Sequence, residues 1–229
     1  MNNTMRWKWY KVFFDLKIED FHNYIETMED SIESQKSSLE ERFNKESHHI
    51  TDPEHKQELY EHMFMDEYES LNKHYPQILR KSLFISLYSF MESELKTIAE
   101  NVEENTSTNI RLVDISYSGT QKYFFYIKNV NNIKIGIDQN TMKKFIKYNS
   151  LRNYFVHNDS ASIKQKQYND LKALPFVTFK KFAAVDPSIN NENWYNVKCL
   201  TEDFNKHYLE LISLFFDALF NALSELEDN

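Results

Sequence analysis

Two glycines and four prolines among 229 residues constrain this chain more than any other feature. Glycine weakens a helix through its backbone freedom, and proline through its missing N–H and its ring. A chain almost free of both is able to run long helices joined by short connections. It lacks the turn residues that a β-sandwich spends at every hairpin. The fold class read from this is mainly α. The length suffices for a real hydrophobic core, and one domain is the simplest count. Aromatic residues make up 15% of the chain, so the core is expected to rest on Phe and Tyr rings.

Hydrophobic spacing divides the chain further. Residues 13–47 read as one long amphipathic helix, with Phe21, Ile25, Met28 and Ile32 on a narrow stripe. Its polar stretch, 31–46, is either a solvated arm or a helix that docks a partner. Thr51, Asp52 and Pro53 mark a helix restart by cap and first-turn chemistry. That helix should run to about residue 74, where Pro76 breaks or kinks the chain. A third helix spans about 77–101 and turns Phe84, Leu87, Tyr88, Met91, Leu95 and Ile98 to one face, which is core. Residues 111–115 look like a short strand, 123–130 a short helix, and 133–137 a turn or short strand around Gly136.

A further helix begins near 138–141 and reaches about His157, with Asn158, Asp159 and Ser160 as stop residues. Residues 163–174 carry a short helix. The β-rich runs 176–179 and 194–200 form a hairpin inserted before the last helix, 201–227. Tyr208, Leu211, Leu214, Phe215, Leu219 and Leu223 of that helix are expected in the core. Within one domain of 1–229, residues 1–75 thus form a helical extension, and 76–229 a bundle core with a hairpin near 176–200.

The chemistry concentrates at the end of the 138–157 helix, in Arg152, Asn153, Tyr154, Phe155, Val156 and His157. Arginine, amide and histidine are costly around an apolar helical stretch unless they act. Arginine offers a permanent charge and a planar fork of donors that fits a phosphate. Histidine exchanges a proton near neutral pH. Together they are a minimal kit for cleaving a phosphodiester without a metal. Five residues along a straight helix turn about 140°, so Arg152 and His157 do not readily meet on one helix. Either the helix frays before His157, or two copies of the chain complete the site around a two-fold axis. Asn149, Asn153 and His157, four apart, share a face.

This run resembles the signature of the HEPN superfamily: arginine, a polar residue, a few mostly apolar residues, then histidine. The upstream run 82–95 resembles the first core helix of that bundle. The resemblance implies an all-α bundle, a homodimer and a metal-independent RNase, often a toxin or a phage-defence effector held by an antitoxin or other protein partner. It makes Arg152, Asn153 and His157 the catalytic candidates, with Asn149, Tyr154 and Glu92 as substrate-contacting or supporting residues. Glu92 either orients His157, neutralises Arg152, or, like Glu94, is a solvated edge charge. Some HEPN toxins carry a tyrosine two residues after the histidine that a partner nucleotidylates; Asp159 stands there. A bundle of the same type that only binds a protein or nucleotide is the alternative.

The formal net charge of −8 is opposite to that of a general nucleic-acid binder and argues against broad duplex binding, although a small RNase site needs no global basicity. Cys199 is the sole cysteine, which rules out an intrachain disulfide and a multi-cysteine metal site. The start of the chain has charges throughout and no apolar signal region, and no run approaches a membrane span; a cytoplasmic, membrane-free protein without cofactor is expected. Other clusters carry less. Arg42 and His48 have nearly the motif spacing but lie in a charged segment. His55, Glu58 and His62 share a helical face, a trio able to hold zinc, but Leu59 shares that face and a solvated junction fits better. The basic-aromatic start around Trp7 and Tyr10 either stacks on RNA bases or packs on the bundle.

Overall fold

The structure is a computed structural model that describes residues 3–158, 162–182 and 194–227. It is mainly helical, with a small three-stranded antiparallel sheet, as the scarcity of helix breakers dictates. Among the described residues no helix is long and apolar enough to cross a membrane.

Helix α1 (Asn3–Ser47) begins earlier than the spacing predicts, because the aromatic start is part of the core. Trp7 is buried and Tyr10 packs against the same cluster, so the packing alternative holds for that segment. At 1.5 Å per residue α1 is about 68 Å long. Its buried residues Trp7 and Phe14, then Ile25, Ile32 and Leu39, recur at intervals of seven and form a narrow seam. Phe14 stacks on Phe216 of the last helix with ring centroids 4.5 Å apart.

The polar far end of α1 is not a free arm. Leu39 forms a separate small core with Phe64 and Leu71, against which Phe43, Leu59 and Tyr60 pack. These come from α2 (Pro53–Met63), α3 (Met65–Glu69) and the π-helical turn Ser70–His74. Asp52 caps α2 by accepting the Glu54 N–H, with Pro53 in the first turn as expected.

Pro76 does not end a helix. It lies in the first turn of α4 (Tyr75–Asn105), directly after the π turn. First-turn positions tolerate a missing N–H, and a wider turn before it relieves the ring's clash with the preceding carbonyl. The predicted face of α4 is buried throughout.

Residues 111–115 are a 3-10 turn at Leu112–Asp114, not a strand. The Asp114 carboxylate accepts the Arg111 N–H, and Glu103 accepts the Leu112 N–H, so side chains close the backbone locally. Helix α5 (Gly119–Phe125) continues into a π turn, Tyr126–Val130. Residues 133–137 form successive tight turns, with Ile135 N–H bonded to Ile133 O and Ile137 N–H to Ile135 O. Then come α6 (Gln139–Asn158), β1 (Ile163–Lys164), α7 (Gln165–Leu171), β2 (Val177–Phe182), β3 (Trp194–Leu200) and α8 (Asp203–Glu227).

The β2–β3 hairpin is present, in register Val177 with Leu200 through Phe182 with Trp194, with a bulge at Thr178/Phe179. Strand β1 pairs on the other side of β3. Its two residues carry no period-2 signal to read. Residues 183–193, at the hairpin tip, lie outside the described residues.

Phe84 of α4 organises the core. Its fully buried ring meets Tyr208 and Phe204 of α8 at 5.1 and 5.2 Å, and Tyr148 and Phe155 of α6 at 6.1 and 6.0 Å. Leu214, expected in this core, is exposed on the outer side of α8, while its other predicted core residues are buried. Arg80 ties the edges together. Its Nε and Nη2 bind both carboxylate oxygens of Glu29 at 2.7 and 2.6 Å, and its Nη1 donates to Leu200 O at 3.0 Å. Asn205 donates in turn to Arg80 O.

Phe84→Ala is expected to remove about 3–5 kcal/mol of unfolding free energy in urea titrations. Leu214→Ala should change it by less than about 0.5 kcal/mol, having no buried contacts to lose.

Candidate functional site

Helix α6 carries the motif, and its placement starts at its cap. Asp138 Oδ1 accepts the N–H groups of Asn140 and Thr141 at 2.6 and 3.0 Å, and Oδ2 accepts the Thr141 hydroxyl at 2.7 Å. These bonds hold the Asp138 carboxyl below its usual range, the Thr141 hydroxyl contributing most. Tyr148, Leu151, Tyr154 and Phe155 turn inward and are buried. Burial pushes the Tyr148 phenol well up, so it stays a neutral core group.

The outward groups divide into two flanks. Asn153 and His157 are exposed and Asn149 is half-buried, on the shared face that their spacing of four dictates. Asn153 Nδ2 donates to Asn149 Oδ1 at 3.4 Å. Arg152 is half-buried on the next flank, its guanidinium carbon 5.6 Å from the centre of the Tyr88 ring. Its Nη1 donates to Asn153 Oδ1 at 3.0 Å, while its Nε is buried with no hydrogen-bond partner. Among the described residues no carboxylate pairs with it. The Tyr88 hydroxyl lies 3.1 Å from Thr120 Oγ1, and burial raises its pKa.

α6 stays helical through Asn158, so His157 is not swung round by fraying. Within one chain Arg152 and His157 therefore project about 140° apart, and no hydrogen bond joins them among the described residues. Asp159 lies outside the described residues.

Asn153, Tyr154 and His157 line a concavity of about 650 Å³, closed on its far side by Lys164, Gln167 and Trp194. Lys164 Nζ sits 5.7 Å from the centre of the Trp194 ring. Tyr154, mostly buried, contributes wall rather than a free hydroxyl surface.

Glu92 lies on the Arg152 side: both charges act on the Tyr88 phenol, Glu92 raising its pKa and Arg152 lowering it. It makes no ion pair with Arg152 or His157 among the described residues. The backbone at position 119 has φ +58°, a conformation that calls for Gly119, and the Glu92 carboxylate lies close beside it. Glu94 is no solvated edge charge. It is 7% exposed and accepts from Tyr10 and Lys17 at 2.8 and 2.7 Å.

The competing clusters find other uses. Arg42 is paired with Glu67 and lies 5.3 Å from the Phe64 ring centre, as a brace of the outer core. His55 pairs with Asp52 at 3.3 Å, and no group of three potential metal ligands occurs among the described residues.

Sequence reasoning missed Tyr88 as the platform for Arg152, and Lys164, Gln167 and Trp194 as the far wall of the pocket. One signal was available. Residues 115–200 carry 13 Lys and Arg against 5 Asp and Glu, a local excess of +8 inside a chain whose total is −8. Averaging hid a basic segment that contains the motif and its pocket.

No family model, no curated protein and no solved structure matches this chain.

The Asp138 cap gives a pH-dependent prediction. A carboxyl whose folded pKa lies below its ordinary 3.8 stabilises the fold fully above that value, and loses the contribution as pH falls through the lowered one. Asp138→Ala should therefore lower Tm at pH 7, with the gap to the parent narrowing toward about pH 2. An equal gap at both pH values would contradict the charged cap.

Proposed function

We propose that the chain is a metal-independent endoribonuclease of HEPN type, acting as a homodimer. The observation that carries the reading is the state of Arg152. Its guanidinium is held against Tyr88 and by Asn153, yet among the described residues it has no carboxylate partner, and one of its donors is buried with no hydrogen-bond partner there. A charge fixed in place but left uncompensated is suited to a phosphate.

The basic segment 115–200 supports a polyanionic substrate. So does the pocket beside His157, where the Trp194 ring offers a face for a base and Lys164 an amine for the backbone. The separation of Arg152 and His157 on one helix calls for a second copy, with a two-fold axis beside α6 bringing both pairs together.

In the reaction, His157 of one protomer takes the proton of an RNA 2′-hydroxyl as its oxygen attacks the adjacent phosphorus. The 5′ oxygen leaves with a proton from the partner's His157 or from water. Arg152 stabilises the charge that accumulates on the phosphorane oxygens. Asn153 holds Arg152 in position and reaches the same phosphate. The products are a 2′,3′-cyclic phosphate and a 5′-hydroxyl, and DNA, lacking the 2′-hydroxyl, is inert. A role as a toxin or anti-phage effector, restrained by an antitoxin or other protein partner, fits such an activity.

The second reading is a non-catalytic bundle of the same type that binds a protein or nucleotide. It is favoured by the same 140° separation, which leaves a single chain without an assembled catalytic pair.

Cellular RNA incubated in EDTA with the parent protein should yield fragments ending in cyclic phosphate. Arg152→Ala and His157→Ala should each lower the rate by about a hundredfold or more, with circular dichroism unchanged. Equal cleavage by His157→Ala would remove its catalytic role, and no cleavage by the parent would favour the binding module.

A further inference from the structure

We propose that the cleft between α4, α5, α6 and α8 binds a small amphipathic anion: an apolar body carrying one carboxylate or comparable head. This cleft shares no lining residue with the pocket beside His157 but adjoins it, since Asn149 at its edge accepts from Asn153 of that pocket; the proposal rests on the cleft's own lining and not on the ribonuclease reading.

Its volume is about 510 Å³, within the range of small-molecule sites. The body of the cleft is apolar, built by Met91 and Leu95 of α4, Phe124 of α5, Met142 and Phe145 of α6 and Phe215 of α8. Methionine and ring edges adapt to a flexible or flat ligand. Tyr117 and Ile146, which also line it, leave half of their surface to water, apolar area that an occupant would cover.

Among the described residues the charged side chains that line the cleft are Lys128 and Lys143, and no aspartate or glutamate joins them. Both lysines are exposed, and neither takes part in an ion pair among the described residues. Lys128 Nζ is carried 5.6 Å from the centre of the Phe124 ring, so one amine borders directly on the apolar wall. In a chain with 35 acidic residues, an apolar cleft edged only by free amines selects an anion over a cation. Asn149 and Gln139 add amide donors for the head group.

Isothermal titration of the full chain with decanoate, decanol and decylamine tests this. Decanoate should saturate at one per chain and bind about tenfold or more tightly than decylamine. Lys128→Gln/Lys143→Gln replaces two exposed side chains and should leave the fold intact. It should weaken decanoate by about tenfold while leaving decanol unchanged. Ile146→Trp, narrowing the mouth from an exposed position, should weaken both. The proposal is overturned by any of three results: no saturable decanoate binding, equal affinities for decanoate and decylamine, or an undiminished decanoate affinity in the double glutamine variant. It is also overturned if light scattering shows a dimer that Ile146→Glu dissociates, because a second copy would then be the occupant.

Discussion

The aromatic contact around Phe84 is the constraint on which the rest of this structure depends. One buried ring from α4 meets rings from both α6 and α8, so three helices take their relative rotation from a single point. Side chains of this size bury large apolar areas and tolerate few alternative packings. Phe155 is one of those rings and lies inside the motif itself. Its inward position settles that Arg152, Asn153 and His157 face outward, and that Arg152 falls beside Tyr88, one helical turn along α4 from Phe84. The arrangement of the polar groups is thus a consequence of hydrophobic packing.

Polar ties then fix what the rings leave free. The bidentate pairing of Arg80 with Glu29 joins α1 to α4 with both side chains largely shielded from water, and the same guanidinium reaches the last carbonyl of β3. Gln77 completes this join by accepting the Leu200 N–H and donating to its carbonyl. The small sheet is thereby anchored to α4, and Trp194 and Lys164 are carried on β3 and β1 toward the end of α6. Arg80 and Arg152 make an instructive pair. The first is matched to a carboxylate and builds the fold; the second has none among the described residues, and for that reason is the candidate for function.

Much of this was legible in the chain. The spacing of Phe84, Leu87, Tyr88, Met91, Leu95 and Ile98 identified the buried face of α4, and the β-rich runs located the hairpin. Asp52 with Pro53, and Asp138 with Thr141, marked helix starts by local chemistry that needs no tertiary context. The failures came where long-range contacts or local side chains decide. Leu214 has the period of a core residue but lies at the margin of the buried stripe. Residues 111–115 have strand-like composition, yet Asp114 and Glu103 accept the Arg111 and Leu112 N–H groups, and among the described residues no strand pairs with them. Pro76 reads as a break or a kink because the π turn before it cannot be read from composition. The far wall of the pocket comes from residues after the motif, whose approach to His157 is set by the sheet and not by any spacing.

The proposed ribonuclease requires Arg152 and His157 to act together across two copies of the chain. Mixing Arg152→Ala and His157→Ala proteins, after separate purification and joint unfolding and refolding, tests it most directly. Mixed dimers would hold one intact arginine and one intact histidine beside the axis. The mixture should regain RNA cleavage in EDTA while each variant alone stays inactive. Mixed dimers that form, as shown by mass spectrometry, but remain inactive would contradict it.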